Sequence, residues 1–321
     1  MDEIIKLMSE DIVQLNDVIR RDLTSNIFMV RQISEYIINS GGKRIRPLLV
    51  MLCGRIAGYV DGELLHKMAA MIEYIHTATL LHDDVVDESG MRRGRKTANA
   101  VFGNAASVLV GDFIYTRSFQ MMIKSGSLKL LEVMANSTNQ ISEGEVLQLL
   151  NIGRSDLTEA EYFAVIRSKT AVLFEAAARV AAIVAHGSTE VEESLAEYAC
   201  CIGTAFQIAD DILDYVGESA HLGKNIGDDL LEGKVTLPLI YLLEHGVPDV
   251  KLVIIEAINN PTATDINLIT NIVKNSNAIK YCSDMANDYV SKALNLLNIF
   301  PDSAYKSAMQ ELAKLSVDRI T

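Results

Sequence analysis

No window of the chain sustains a period-two alternation of Val, Ile, Thr or aromatic residues, so β structure is expected to be minor or absent. Proline placement gives the stronger signal. None occurs between Pro47 and Pro238, a stretch of 190 residues (48 to 237) in which average usage of about 5% would give roughly nine or ten. Proline breaks helix interiors, so a long stretch without it, rich in Ala, Leu, Met, Glu and Ile, reads as consecutive helices. The pattern predicts helices over 2–20, 25–39, 43–58, 62–88, 105–124, 127–150, 158–186, 191–215, 237–245 and 276–298, with a last one opening at Pro301-Asp302. Thr158 and Glu161 have the spacing of a capping box, and Gly41-Gly42, Gly90, Gly94, Gly103, Gly126 and Gly187 fall where helices should stop. With no Pro/Ser-rich linker and no low-complexity tract, the reading is one all-α domain over residues 1–321.

Composition narrows the function. The net charge of −13 argues against a nucleic-acid partner, because phosphate backbones attract basic faces. Against that acidic background the few tight basic clusters stand out. No transmembrane segment is expected: the most apolar stretch, 170–186, is interrupted by Glu175 and Arg179. The start Met1-Asp2-Glu3 has no signal-peptide pattern, and Cys53, Cys200, Cys201 and Cys282 show no CxxC spacing. They read as reduced, mostly buried thiols, and the expected location is the cytoplasm.

Two acidic motifs carry the chemistry. Asp83-Asp84-Val85-Val86-Asp87 lies near the end of the long helix expected over 62–88, where i, i+4 spacing sets Asp83 and Asp87 one turn apart with Asp84 beside them. A lone DDxxD is as readily a solvated acidic helix end. However, Asp210-Asp211-Ile212-Leu213-Asp214 repeats the spacing 127 positions later, again after an apolar helical run. Converging carboxylates repel unless a cation sits among them, and these hard oxygen donors select Mg²⁺ or Mn²⁺ over zinc. Since magnesium binds through a few carboxylates plus substrate phosphates, the implied substrate is phosphorylated. Lys43, Arg44 and Arg46 at a helix start, Arg92-Arg93 just after the first motif, and Lys169, Lys224 and Lys234 are candidate phosphate ligands. Singly, each is more often a surface residue.

Gly41-Gly42-Lys43-Arg44-Ile45-Arg46-Pro47, the run from Met71 through Asp83-Asp84-Val85-Val86-Asp87 to Glu88, Gly111-Asp112-Phe113, Gly144-Glu145-Val146-Leu147-Gln148-Leu149 and the second DDxxD together resemble the trans-isoprenyl diphosphate synthases over nearly the whole chain. The resemblance implies an isoprenoid-synthase-type helical bundle with a central cavity and a homodimer joined through helices near 105–150. It implies repeated condensation of isopentenyl diphosphate onto an allylic diphosphate such as farnesyl diphosphate. By the same resemblance Asp83 and Asp87 would bind two Mg²⁺ and Asp210 a third, with Asp84, Asp211 and Asp214 supporting. Lys43, Arg46, His76 and Arg93 would hold isopentenyl diphosphate, and Arg92, Lys169, Thr170, Gln207, Lys224 and Lys234 the allylic diphosphate. Val235 departs from the family, where proline is common. The product implied has eight isoprene units, with seven or nine left open, and would feed a respiratory quinone.

Chain length has its own signal. Ala78 and Thr79 are small, where a bulky aromatic would block a cavity below the metals. Ile75, Met71 and Met68 continue the same face, for which ordinary core packing is the competing reading. Met134 lies fourteen residues before Gln148, roughly 21 Å lower by helical rise, and is the candidate floor, with Met121 a second choice. A class I terpene cyclase would lack an isopentenyl site and a second full DDxxD. A non-catalytic synthase subunit would carry degraded motifs.

Overall fold

The helices expected from the sequence form, in a computed structural model that describes residues 1–42, 44–60, 62–92, 94–217 and 226–318. Helices occupy Asp2–Leu7, Ser9–Asp22, Phe28–Ile38, Ile45–Ile56, Glu63–Val86, Ala98–Phe102, Asn104–Lys124, Leu128–Leu150, Glu159–Ile166, Val172–Val184 and Thr189–Val216. They continue with Asp228–Leu231, Leu237–His245, Pro248–Asn259, Ile266–Lys274, Ala278–Leu296 and Ala304–Leu315. Among the described residues the only sheet is a two-stranded antiparallel ribbon, with Met91 opposite Lys96 and Arg92 opposite Arg95. No helix among them is long and apolar enough to cross a membrane.

The chain groups into two compact units. The first comprises Met1–Ser137, Leu173–Ala199 and Leu296–Leu312. Its centre is the Glu63–Val86 helix, in which Met68, Met71, Ile75, Ala78 and Leu81 are fully buried. That helix is apolar nearly all round, as a helix enclosed by others should be, and Ile45–Ile56, Ser9–Asp22 and Asn104–Lys124 pack around it. Tyr74, buried within it, donates its hydroxyl hydrogen to Ile19 O at 2.9 Å. Its polar C-terminal end carries the first acidic motif.

The second unit comprises Thr138–Val172, Cys200–Asn295 and Ala313–Thr321. Its core is the later part of the Thr189–Val216 helix, where Ala205, Ile208, Ala209 and Ile212 are fully buried and the second motif follows. Thr158 and Glu161 form the expected capping box. The helix expected over 158–186 is not continuous. Residues Arg167–Ala171 form a π-turn, an extra residue inserted into the hydrogen-bond ladder and a feature often found at functional sites. Gly144 sits against it: a Cβ there would lie 2.8 Å from Ser168 Cβ and 3.0 Å from Lys169 N. Asp228–Leu231, Pro248–Asn259 and Ile266–Lys274, helices of this unit, have no counterpart in the sequence reading.

Candidate active site

The first motif closes its helix. Asp87 N donates to Asp83 O at 2.8 Å, so the two residues stack one turn apart, each partly exposed. Asp84 points elsewhere and is wholly buried. Its Oδ1 accepts from Arg92 Nε at 2.8 Å and Nη2 at 2.7 Å, while its Oδ2 has no hydrogen-bond partner among the described residues. The ribbon after the motif is thereby fastened to it, and Asn99 Nδ2 donates to Asp84 O at 3.0 Å. His82, just before the motif, lies against Gly111, with Nε2 3.2 Å from Val108 O and 3.3 Å from Asp112 Oδ1.

In the same unit, Arg46 Nη1 stands 3.2 Å from His76 Nε2, and its guanidinium lies over the Phe174 ring, 4.6 Å from the centroid. Arg46 and His76, both candidates of the sequence reading, are therefore adjacent. Thr79 is half-buried, its hydroxyl donating to His76 O at 2.9 Å. Ala78, Ile75 and Met134 are fully buried and Met121 nearly so. Lys43, Arg93 and Lys224 lie outside the described residues.

The second motif sits in a denser polar network. Asp211 is buried; its Oδ2 accepts from the Tyr162 hydroxyl at 2.7 Å and its Oδ1 from Gln207 Nε2 at 2.8 Å. Gln207 Oε1 in turn accepts from the Thr170 hydroxyl at 3.0 Å. Burial pushes the Asp211 carboxyl up, the negative charges of Asp229 and Asp210 add to it, and the hydrogen bonds from Tyr162 and Gln207 offset only part, leaving it at about 8. Asp214 is also buried, and its carbonyl accepts from Gly227 N at 2.9 Å. Lys169 Nζ, on the π-turn, donates to Glu145 Oε2 and Gln148 Oε1, both at 2.6 Å. Lys234 Nζ donates to Glu232 Oε2 at 2.6 Å, next to a buried Val235.

Arg92, Lys169 and Lys234 each rest on a carboxylate of the chain itself, Asp84, Glu145 and Glu232 respectively. The donor set fits a hard divalent cation. The ligands offered are carboxylate oxygens, and the crowding of negative charge around Asp211 is what a bound cation would relieve. Among the described residues no three acidic, His or Cys side chains gather closely enough to enclose an ion unaided. An ion held here would need further ligands from water or a phosphorylated ligand.

Sequence reasoning missed Tyr162, Asp229 and the Glu145 and Gln148 partners of Lys169. Only Asp229 had a local signal, the Asp228-Asp229 pair shortly before Gly233-Lys234.

The family model described as Polyprenyl synthetase matches residues 28–275. The octaprenyl diphosphate synthase of Escherichia coli (strain K12) is 48% identical over 322 residues, covering 99% of each chain. That of Haemophilus influenzae is 48% identical over 320 residues, 99% of this chain and 97% of its own. Among solved structures, the polyprenyl synthase of Caulobacter crescentus CB15, complexed with calcium and isoprenyl diphosphate, matches with a TM-score of 0.95 at 40% identity, over 100% of this chain and 98% of that one.

Proposed function

The chain belongs to the polyprenyl synthetase family and is a trans-prenyltransferase, and from that premise we propose that it extends an allylic diphosphate, such as farnesyl diphosphate, with isopentenyl units to all-trans-octaprenyl diphosphate. Asp83 and Asp87, stacked at the open end of a helix whose next turn inward is the small, buried Ala78, carry this reading. Matches to two octaprenyl diphosphate synthases, each 48% identical over 99% of this chain, support the length.

Asp83, Asp87 and Asp210 would hold Mg²⁺, three ions in all, with Asp84, Asp211 and Asp214 in support; Mn²⁺ has the same donor preference. When bound, the ions neutralise diphosphate oxygens and stabilise the leaving group as the allylic carbon–oxygen bond opens. Lys169, Thr170, Gln207 and Lys234, with Arg92 and Lys224, bind and orient the allylic diphosphate. Lys169 and Lys234 leave Glu145 and Glu232 to do so. Arg46 and His76, with Lys43 and Arg93, hold isopentenyl diphosphate so that its double bond attacks the allylic cation. The apolar residues from Ala78 inward take up the growing chain and exclude water from the cation.

The described apolar residues left exposed support a homodimer. Val108, Leu109 and Ile123 on Asn104–Lys124 are exposed, as are Leu128, Val146, Leu149 and Leu150 on Leu128–Leu150. The four free, buried cysteines support a cytoplasmic location. All 321 residues would act as one synthase domain. Incubating the protein with farnesyl diphosphate, labelled isopentenyl diphosphate and Mg²⁺, then sizing the product, tests the reading. An octaprenyl product is expected, and absence of any transfer refutes it.

A further inference from the structure

Tyr162 has no role in the function derived so far, yet its phenol is buried and spent entirely on one partner, the Oδ2 of Asp211, at 2.7 Å. Asp211's other oxygen takes Gln207 Nε2 at 2.8 Å. A carboxyl group with a hydrogen-bond partner on each oxygen, one from a different helix and one from a turn earlier on its own, has a fixed orientation. Its consequence passes onward. With Nε2 committed to Asp211, the Gln207 amide can present only Oε1 to its other side, and that oxygen accepts from the Thr170 hydroxyl at 3.0 Å.

The four groups form a closed tie. Tyr162 and Thr170 lie on the same helical run, on either side of the opening of the π-turn at Arg167–Ala171, while Gln207 and Asp211 lie one turn apart on Thr189–Val216. The helix leading into the widened turn and the turn itself are thus both tied to the helix bearing the second acidic motif, and Lys169 falls between the two ties in sequence. We propose that Tyr162 is a positioning residue for the allylic diphosphate site: through Asp211 it sets the Gln207 amide and holds Thr170 and the π-turn, and Asp211 serves this tie rather than acting as a metal ligand.

The inference rests on the proposed function, since it presumes that Thr170 and Gln207 face the allylic substrate. It changes the part given to Asp211 there. The phenol-less Tyr162→Phe keeps the ring in its buried place but leaves Asp211 Oδ2 without its donor. Asp211 and then Gln207 are free to turn. Isopentenyl diphosphate, assigned to Lys43, Arg46, His76 and Arg93 rather than to any group of the tie, should not feel the change.

The experiment compares wild type, Tyr162→Phe, Asp211→Asn and the double variant, at saturating Mg²⁺ and then across a Mg²⁺ titration. The expected result is an allylic KM raised roughly tenfold in each single variant, the loss of one buried hydrogen bond. Isopentenyl KM and the half-saturating Mg²⁺ concentration stay within about twofold of wild type. The double variant is little worse than either single one, because both break the same tie. The proposal is overturned if Tyr162→Phe leaves allylic KM unchanged, or raises both KM values equally in step with a lowered Tm. It is overturned equally if Asp211→Asn instead shifts the Mg²⁺ requirement about tenfold with allylic KM unchanged. Should Tyr162→Phe fail to fold, Asp211→Asn alone decides between those outcomes. Wild-type protein that transfers no isopentenyl unit at all would count against the proposed function itself, a result separate from these.

Discussion

Arg92 grips Asp84 with two nitrogens on one oxygen, Nε at 2.8 Å and Nη2 at 2.7 Å from Oδ1. Asp84 is wholly buried whereas Arg92 keeps about a quarter of its side chain exposed, 25%. The middle residue of the first motif therefore anchors the basic ribbon, while Asp83 and Asp87 are only partly buried. Asp84→Ala strands the guanidinium and should lower unfolding free energy by about 3 kcal/mol, the low end for a broken buried pair because Arg92 can still reach water. Urea denaturation measures it. A change below about 0.5 kcal/mol would mean that the pair carries no structural load.

Product length should follow the side chains below the first motif. Ala78→Tyr adds an aromatic ring where the chain is fully packed, and the expected products are shorter. Met134→Ala should lengthen them and also cost about 2–5 kcal/mol of stability, since Met134 is fully buried. Chromatographic sizing separates the effects: a stability loss with unchanged length removes Met134 from the tunnel floor.

Gly144→Ala sets two effects of opposite sign against each other. Alanine favours a helix interior by about 1 kcal/mol over glycine. Its Cβ, however, would meet Ser168 Cβ at 2.8 Å and the backbone N of Lys169 at 3.0 Å. Backbone cannot swing aside as a side-chain tip can, so overpacking wins, and a net loss of about 1–2 kcal/mol is expected. Because the displaced backbone belongs to the π-turn carrying Lys169, allylic KM should rise as well. Thermal melts and steady-state kinetics on the one variant check both.

A buried acid cluster away from the acidic motifs sets the acid limit of stability. Burial alone would raise the Asp11 carboxyl, but hydrogen bonds from His66 and Arg55, with their charges, override it and hold it at about 2 against an ordinary 3.8. His66 Nε2 and Arg55 Nη2 lie 2.8 and 2.5 Å from Asp11 Oδ1. A carboxyl depressed in the folded state stabilises fully above its unfolded value and loses that contribution as pH falls towards the folded one. On the order of 2 kcal/mol should therefore disappear between about pH 4 and pH 2. Asp11→Asn should flatten that part of the acid-unfolding curve.

The residues visible in sequence were those whose role is local. Asp83, Asp87 and Asp210 announce themselves by i, i+4 spacing, and the capping box at Thr158 by a four-residue pattern. The proline-free stretch did mean helices, interrupted by the Arg92 ribbon and the π-turn. That turn was invisible because it depends on Gly144 admitting the backbone at Ser168, 24 residues later (168 − 144). Tyr162 stayed hidden for the same reason, its partner lying 49 positions away. Pro248–Asn259 was missed although proline stands at its first turn, where a missing N–H costs nothing.

The proposed prenyl transfer depends on divalent ions held by motif carboxylates, and a metal titration tests that dependence most directly. Protein stripped with EDTA should transfer no isopentenyl unit to farnesyl diphosphate, and added Mg²⁺ should restore octaprenyl synthesis with saturation. Transfer that continued at full rate in the chelator would contradict the account.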